Sequence, residues 1–311
     1  MKNETLDKIK PFVINSSKET VISEIKKMNH IPEIITKLNI TDQEIWDNAI
    51  NLIEYSHHFE TKETNLFDYA VVRNDNKLKV IKTLSRNRVG NEFRKDKNVY
   101  FQEYFPPETN KTFIDLTLSP EFMINNYLIC DWMERVIEDI RTKNIWMKGD
   151  IIYGNASSSR SLILSMLVNT FAISDVKAAY VNVNDLCDVL LNSFKSDINN
   201  IEKDKNTWEK ELIEIPILVL DEIGFKKLKP WYLQFLYKVI KARNIKSIPT
   251  YFGFYNGLIE TEIHHLVDLR ERRDYSPHLT ENLYGVICDA INNKESIPAG
   301  FAIKKGENIW R

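Results

Sequence analysis

The run Ile217-Leu218-Val219-Leu220-Asp221-Glu222 leaves the chain few ways to fold. Residues 215–220 form a continuous apolar stretch without polar alternation. As a strand, such a stretch must be covered on both faces, which calls for a sheet between layers of helix. The surrounding sequence agrees. Residues 121–143 predict an amphipathic helix with Leu128, Trp132, Val136 and Ile140 on one face. Residues 150–153 predict a short strand, 161–172 an apolar helix, 178–183 a strand, and 185–196 a helix capped by Asn184. Residues 231–242 predict a helix, 250–254 a strand, 287–292 a helix and 297–303 a last strand. Strand and helix alternating in this way mean an α/β domain with a mostly parallel sheet.

The first sixty residues have a different pattern. Leu6, Ile9, Phe12 and Val13 recur at helical spacing, as do Val21, Ile22, Ile25 and Met28. Thr41 followed by Glu44 predicts a capping box opening a helix through Ile45, Ala49 and Ile53. Residues 69–73 and 78–84 predict a hairpin turning at Asn74-Asp75-Asn76. A basic group, Arg86, Arg88, Arg94, Lys95 and Lys97, follows on what reads as a solvated hairpin face or a phosphate-contacting surface. Pro106-Pro107 and the polar residues after them read as a linker. The expected organisation is therefore a small helical and hairpin domain over 1–105, a linker over 106–120, and an α/β domain over 121–311.

Composition narrows the class. In 311 residues, 43% hydrophobic and 28% charged side chains exclude wholesale disorder and a membrane bundle. A net charge of −2 excludes a polycation, so any nucleic-acid contact must come from a local patch. Cys130, Cys187 and Cys288 are too scattered for a metal or disulfide framework, which predicts a reduced, cytosolic compartment. The polar opening over 1–10 is not a signal peptide, and no apolar run reaches membrane-spanning length.

Two segments point to phosphate chemistry. Gly154-Asn155-Ala156-Ser157-Ser158-Ser159-Arg160-Ser161 lies between a predicted strand and a predicted helix, in the register of the phosphate loop G-x-x-x-x-G-K-[ST]. Gly154 opens it and Ser161 closes it. Ser159 replaces the second glycine and Arg160 replaces the lysine. A serine-rich turn would satisfy the same residues. About 60 residues later the apolar strand ends in Asp221 and Glu222. In nucleoside triphosphatases the first acid supports Mg²⁺ and the next orients the attacking water. That position, at the carboxyl end of a parallel strand, is where ligands of α/β sheets bind.

With these residues in place the sequence resembles the AAA+ module of bacterial replicative helicase loaders of the DnaI/DnaC type. The resemblance is carried by residues 216–224, by Trp231 and Arg243 at the two ends of one helix, by Pro249-Thr250-Tyr251-Phe252, and by Ile297-Pro298 with Gly306-Glu307-Asn308. The helical and hairpin amino end is similar too. The resemblance implies an amino domain that binds the replicative DNA helicase, and an ATPase-like AAA+ domain that holds ATP and single-stranded DNA. It places nucleotide at Gly154, Ser157, Ser159, Arg160, Ser161 and Asn256, Mg²⁺ at Ser161 and Asp221, and catalysis at Asp221 and Glu222. Other primosome proteins are implied as further partners.

The departures are specific. Only one of the family loop's three glycines remains and its lysine is absent, the strand-four polar sensor is replaced by Gly253-Phe254-Tyr255, and no arginine lies in 286–292. The cysteines of the family's amino-terminal zinc site are missing, so no zinc is expected, and His57-His58 reads as an exposed helix end. Lys226, Lys227 and Lys229 are candidates for a single-strand DNA path. Arg270, Arg272 and Arg273 are candidates for an arginine finger or a solvated cluster. The resulting expectation is a helicase loader with weak or absent ATP hydrolysis. The alternatives are a catalytically inactive AAA+ binding module and a transposition-helper AAA+ ATPase.

Overall fold

The computed structural model describes residues 16–74, 77–116, 120–144, 148–155, 158–196, 201–255, 266, 277–292 and 296–299. The chain divides into two compact units, Met1–Phe93 and Arg94–Arg311. Of the residues singled out above, Ser157, Asn256, Arg270, Arg272 and Arg273 lie outside the described residues, as do the chain's opening and its tail.

Among the described residues the first unit has four helices, α1 (Lys18–Lys27), α2 (Ile31–Leu38), α3 (Asp42–Asp47) and α4 (Ala49–Glu60). Ser17 caps α1, accepting from the Thr20 amide. The Thr41–Glu44 capping box forms as predicted, but its helix stops at Asn48, where φ is −115° and the side chain bonds back to Glu44 O. Asparagine competes for the backbone in this way, so one predicted helix becomes two. Strands β1 (Phe67–Asn74) and β2 (Lys77–Leu84) pair antiparallel in unbroken register. Tyr69, Val71, Leu78 and Val80 pack on a core of Val21, Ile25, Ile31, Ile45, Leu52 and Ile53. His58 is buried in this unit, with Nε2 3.6 Å from Asp68 Oδ1, whereas only its neighbour His57 has the exposure expected of both.

The basic group after the hairpin is a helix, α5 (Arg88–Asn98). Arg94 and Lys95 are buried, Arg94 facing Asp175 and Lys95 donating to Asn110 O at 2.8 Å. The segment expected as a linker is also tied down. Glu108 N donates to Ser165 Oγ, Asn169 Nδ2 to Thr109 O and Lys111 O, and Phe113 N to Thr170 Oγ1. Residues 94–115 therefore belong to the second unit, and the division falls earlier than residues 106–120.

The second unit is a six-stranded, fully parallel sheet. Its strands are β3 (Val99–Tyr100), β4 (Ile151–Tyr153), β5 (Ala178–Asn182), β6 (Ile217–Ile223), β7 (Thr250–Phe254) and β8 (Ile297–Pro298), in the order β3-β5-β6-β7-β4-β8. Among the described residues its helices are α6 (Pro120–Asn125), α7 (Tyr127–Arg141), α8 (Arg160–Ile173), α9 (Val183–Ser196), α10 (Ile201–Glu214), α11 (Pro230–Ile245) and α12 (Pro277–Ala290). The helix predicted over 121–143 breaks at Asn126, and Leu128 is 45% exposed while Ile129, Trp132, Met133 and Val136 face the core. The cap of α9 is Asn182, whose Oδ1 accepts from the Asn184 and Asp185 amides, rather than Asn184. The fold class is the one the alternating pattern dictates: a parallel α/β sheet domain preceded by a small helical unit with a hairpin.

Candidate functional site

Strand β4 ends at Tyr153 and α8 starts at Arg160, so the loop spans the carboxyl edge of the sheet. Strand β6 lies two positions away in the same sheet and ends beside it with Asp221 and Glu222. The register Asn182↔Asp221 sets the acids level with the end of β5. Topology thus brings the two predicted segments together.

Arg160 fills the space between them. Its side chain is 1% exposed and turned inward. Nε donates to Asp221 Oδ1 at 2.7 Å, and Nη2 donates to Glu222 Oε1 at 2.5 Å and Ser161 Oγ at 3.4 Å. Nη1 donates to Gly154 O and, at 3.2 Å, to Phe254 O. The guanidinium therefore ties the first and last residues of the loop to β6 and β7. Tyr255 lies beside it, 5.9 Å from ring centroid to Cζ.

Asp221 is fully buried. Its Oδ1 also accepts from the Glu222 amide at 2.7 Å, and Oδ2 accepts from the Tyr180 hydroxyl at 2.7 Å. Burial and the facing carboxylate push the Tyr180 phenol up, which keeps it a donor. Burial raises the Glu222 carboxyl against the pull of Arg160. Glu222 sits at φ 65°, where the β6–β7 register shifts between Leu220 and Ile223. A left-handed glutamate is a strained backbone of the kind that clusters at functional sites. It is held by its own amide bond to Asp221, by Arg160, and by Asn184 Nδ2 donating to its carbonyl.

Of the predicted residues, Gly154, Ser159, Arg160, Ser161, Asp221 and Glu222 converge here. Ser159 is buried at the start of α8 without a side-chain cap bond. Lys226 and Lys227 are exposed beyond the end of β6, next to the exposed Phe225, whose ring packs 5.8 Å from Tyr255, and Lys229 is half-buried at the start of α11. Sequence reasoning missed Tyr180 and Gly253. Gly253 signalled only a lost polar sensor, yet it is what leaves room for the Asp221 carboxylate. Among the described residues no group of three or more His, Cys, Asp or Glu converges as a metal site, and no helix is long and apolar enough to cross a membrane.

A Mg²⁺ held by Ser161 and Asp221 does not fit these side chains as they stand. A cation already lies between Ser161 Oγ, Asp221 and Glu222, and both Asp221 oxygens are engaged.

No protein-family model matches the chain, and no curated protein matches it. Several solved structures are similar. DnaI is 17% identical, over 60% of this chain and 90% of that one, with a TM-score of 0.45. The DnaC helicase loader is 17% identical, over 61% and 96%, with a TM-score of 0.43. AMPPCP-bound DnaA from Aquifex aeolicus is 14% identical, over 58% of this chain and 49% of that one, with a TM-score of 0.42. At these identities the functional reading rests on the chain's own residues.

Proposed function

We propose that this protein is a cytosolic replication factor of the helicase-loader type that acts as a binding module, without appreciable ATP turnover. The observation that carries the second half of this reading is the saturated Arg160–Asp221–Glu222 cluster at the sheet edge. Phosphoryl transfer asks a protein mainly for positioning and charge stabilisation. Here the loop's cation and both acids are spent on one another. The first half rests on the motifs quoted above, from residues 216–224 to Pro249-Thr250-Tyr251-Phe252. In this reading the first unit contacts the replicative helicase and needs no zinc. Phe225, Lys226, Lys227 and Lys229 meet single-stranded DNA by stacking and phosphate contact.

The test is capture of the host's replicative helicase by the tagged full-length chain, with ATP hydrolysis measured on the captured complex with single-stranded DNA. The reading expects stoichiometric capture, and hydrolysis no faster than that of an Asp221→Asn variant. Failure to retain the helicase, or retention of a transposase in its place, would remove the loader assignment. Hydrolysis abolished by Asp221→Asn would remove the claim of no turnover.

A further inference from the structure

Arginine carries five N–H donors in a planar fork and stays charged at neutral pH. At Arg160 the fork has five acceptors: Asp221 Oδ1 on Nε, Gly154 O and Phe254 O on Nη1, Glu222 Oε1 and Ser161 Oγ on Nη2. No donor is left to point at an incoming phosphate oxygen. A phosphate in this loop would have to break bonds inside a buried network, where an orphaned polar group is costly. It would also meet two carboxylates balanced by one guanidinium.

We propose that Arg160 is the resident cation of this site. It stands in for the divalent ion that Ser161 and the two acids would otherwise hold, and it closes the sheet edge to both Mg²⁺ and phosphate. The inference rests on reading residues 154–161 as a phosphate loop, and it goes further than low turnover. A covalently tethered charge takes the place of a bound metal.

Three features on other elements agree with a permanent occupant. Tyr180, from β5, donates to Asp221 Oδ2 and so consumes the oxygen that a metal would need. Gly253, from β7, opens the space into which Asp221 fits, and a Cβ there would stand 1.9 Å from Oδ1. The Phe254 carbonyl, one residue on, accepts from the guanidinium at 3.2 Å and so occupies a donor that a phosphate would need.

The experiment uses the full-length chain. Mn²⁺ is titrated into wild type, with and without ATP, and free Mn²⁺ is followed by electron paramagnetic resonance. Wild type is expected to take up no stoichiometric Mn²⁺ in either case, and its melting temperature should stay within about 1 °C on adding Mg²⁺ and ATP. One Mn²⁺ bound per chain, and lost in Asp221→Asn, would overturn the proposal without any variant of Arg160 being needed. The complementary arm is Arg160→Gln, which leaves both carboxylates facing an empty position. Its melting temperature should fall and then recover by roughly 5–10 °C with Mn²⁺ at about a hundred times its dissociation constant. Adding Asp221→Asn should abolish that recovery. An Arg160→Gln protein that folds and is indifferent to divalent cations would also overturn the proposal. Helicase capture separates this inference from the loader reading. Capture accompanied by Mn²⁺ uptake refutes the resident cation alone, and no capture without uptake refutes the loader alone.

Discussion

A Cβ on Gly253 would stand 1.9 Å from Asp221 Oδ1 and 2.7 Å from Leu164 Cδ1. Neither neighbour has room to retreat, because Leu164 is fully buried and Asp221 is fixed by Tyr180 and Arg160. Gly253→Ala should therefore destabilise the second unit by ~1–3 kcal/mol, the usual range for overpacking. In the background of Asp221→Ala the same change should cost much less, and a urea-melt double-mutant cycle reads the coupling. Equal costs in both backgrounds would show that the carboxylate is not what the glycine accommodates. Arg243 is a second buried guanidinium, with a different task. It donates to Thr250 Oγ1 at 2.8 Å, Leu212 O at 2.8 Å, Ile215 O at 2.6 Å and Pro249 O at 2.5 Å, pinning the end of α10 and the starts of β6 and β7. Burial pulls its pKa down to about 9. Lysine has three donors and no fork, so Arg243→Lys should lose ~2–3 kcal/mol despite keeping the charge. A melting temperature equal to wild type would refute that role. The sequence displayed Asp221, Glu222 and Arg160 as types and spacings, and it placed them at one edge. It did not display Tyr180, since a tyrosine inside an apolar strand differs from core only once the sheet sets it beside a residue 41 positions away.

In the first unit one ion pair spans the end of α2 and the start of α3. Arg73 in β1 holds Glu44 through both arms, at 2.7 and 3.0 Å, and also donates to Leu38 O and Asn39 O at the end of α2. Glu44 meanwhile accepts from Thr41 N. Arg73 and the Thr41 amide hold the Glu44 carboxyl far down, from 4.5 to about 2. A carboxyl that binds its proton less tightly when folded contributes stability above its unfolded pKa, and that stability drains away as pH falls towards the folded value. The first unit should therefore lose stability between about pH 4.5 and about pH 2. Arg73→Met should flatten that loss, as read by circular dichroism melts across the range. An unchanged acid slope would place the pH dependence elsewhere. At this scale the sequence was legible where a cap or a period is local, as at Thr41–Glu44 and along β1 and β2. It was not legible at Asn48 and Asn126, where one asparagine ends a helix that the apolar period would continue. The helix α10 escaped prediction because its residues are mostly polar, and only tertiary packing of Trp208 and Leu212 shows which face is inward.

The two units have separate apolar cores, one around Ile25, Ile45 and Leu52 and the other around Leu164, Leu218 and Phe252. Truncating a fully buried isoleucine costs ~2–5 kcal/mol. Ile45→Ala should therefore lower hydrogen-exchange protection over residues 16–93, and Phe252→Ala over the sheet, each leaving the other's amides as in wild type. Loss of protection throughout the chain from either substitution would show that the units unfold as one. The parallel α/β class followed from the uninterrupted apolar run before Asp221, whereas the position of the division did not. Pro106-Pro107 open a segment that is hydrogen-bonded along α8, and such bonds are invisible in composition.

A parallel sheet ends in two strands whose outer sides lack a neighbour, and such sides invite other chains to add to them. Here the outermost strands are β3 and β8, each two residues long among the described residues, and β8 includes Pro298, which has no N–H to offer. A second copy approaching side-on finds too short a template to extend. The apolar strand β6, which if free would be a ready seed for fibrils, has two strands on one side of it and three on the other. The chain can thus carry Ile-Leu-Val-Leu through a crowded cell without polymerising along it.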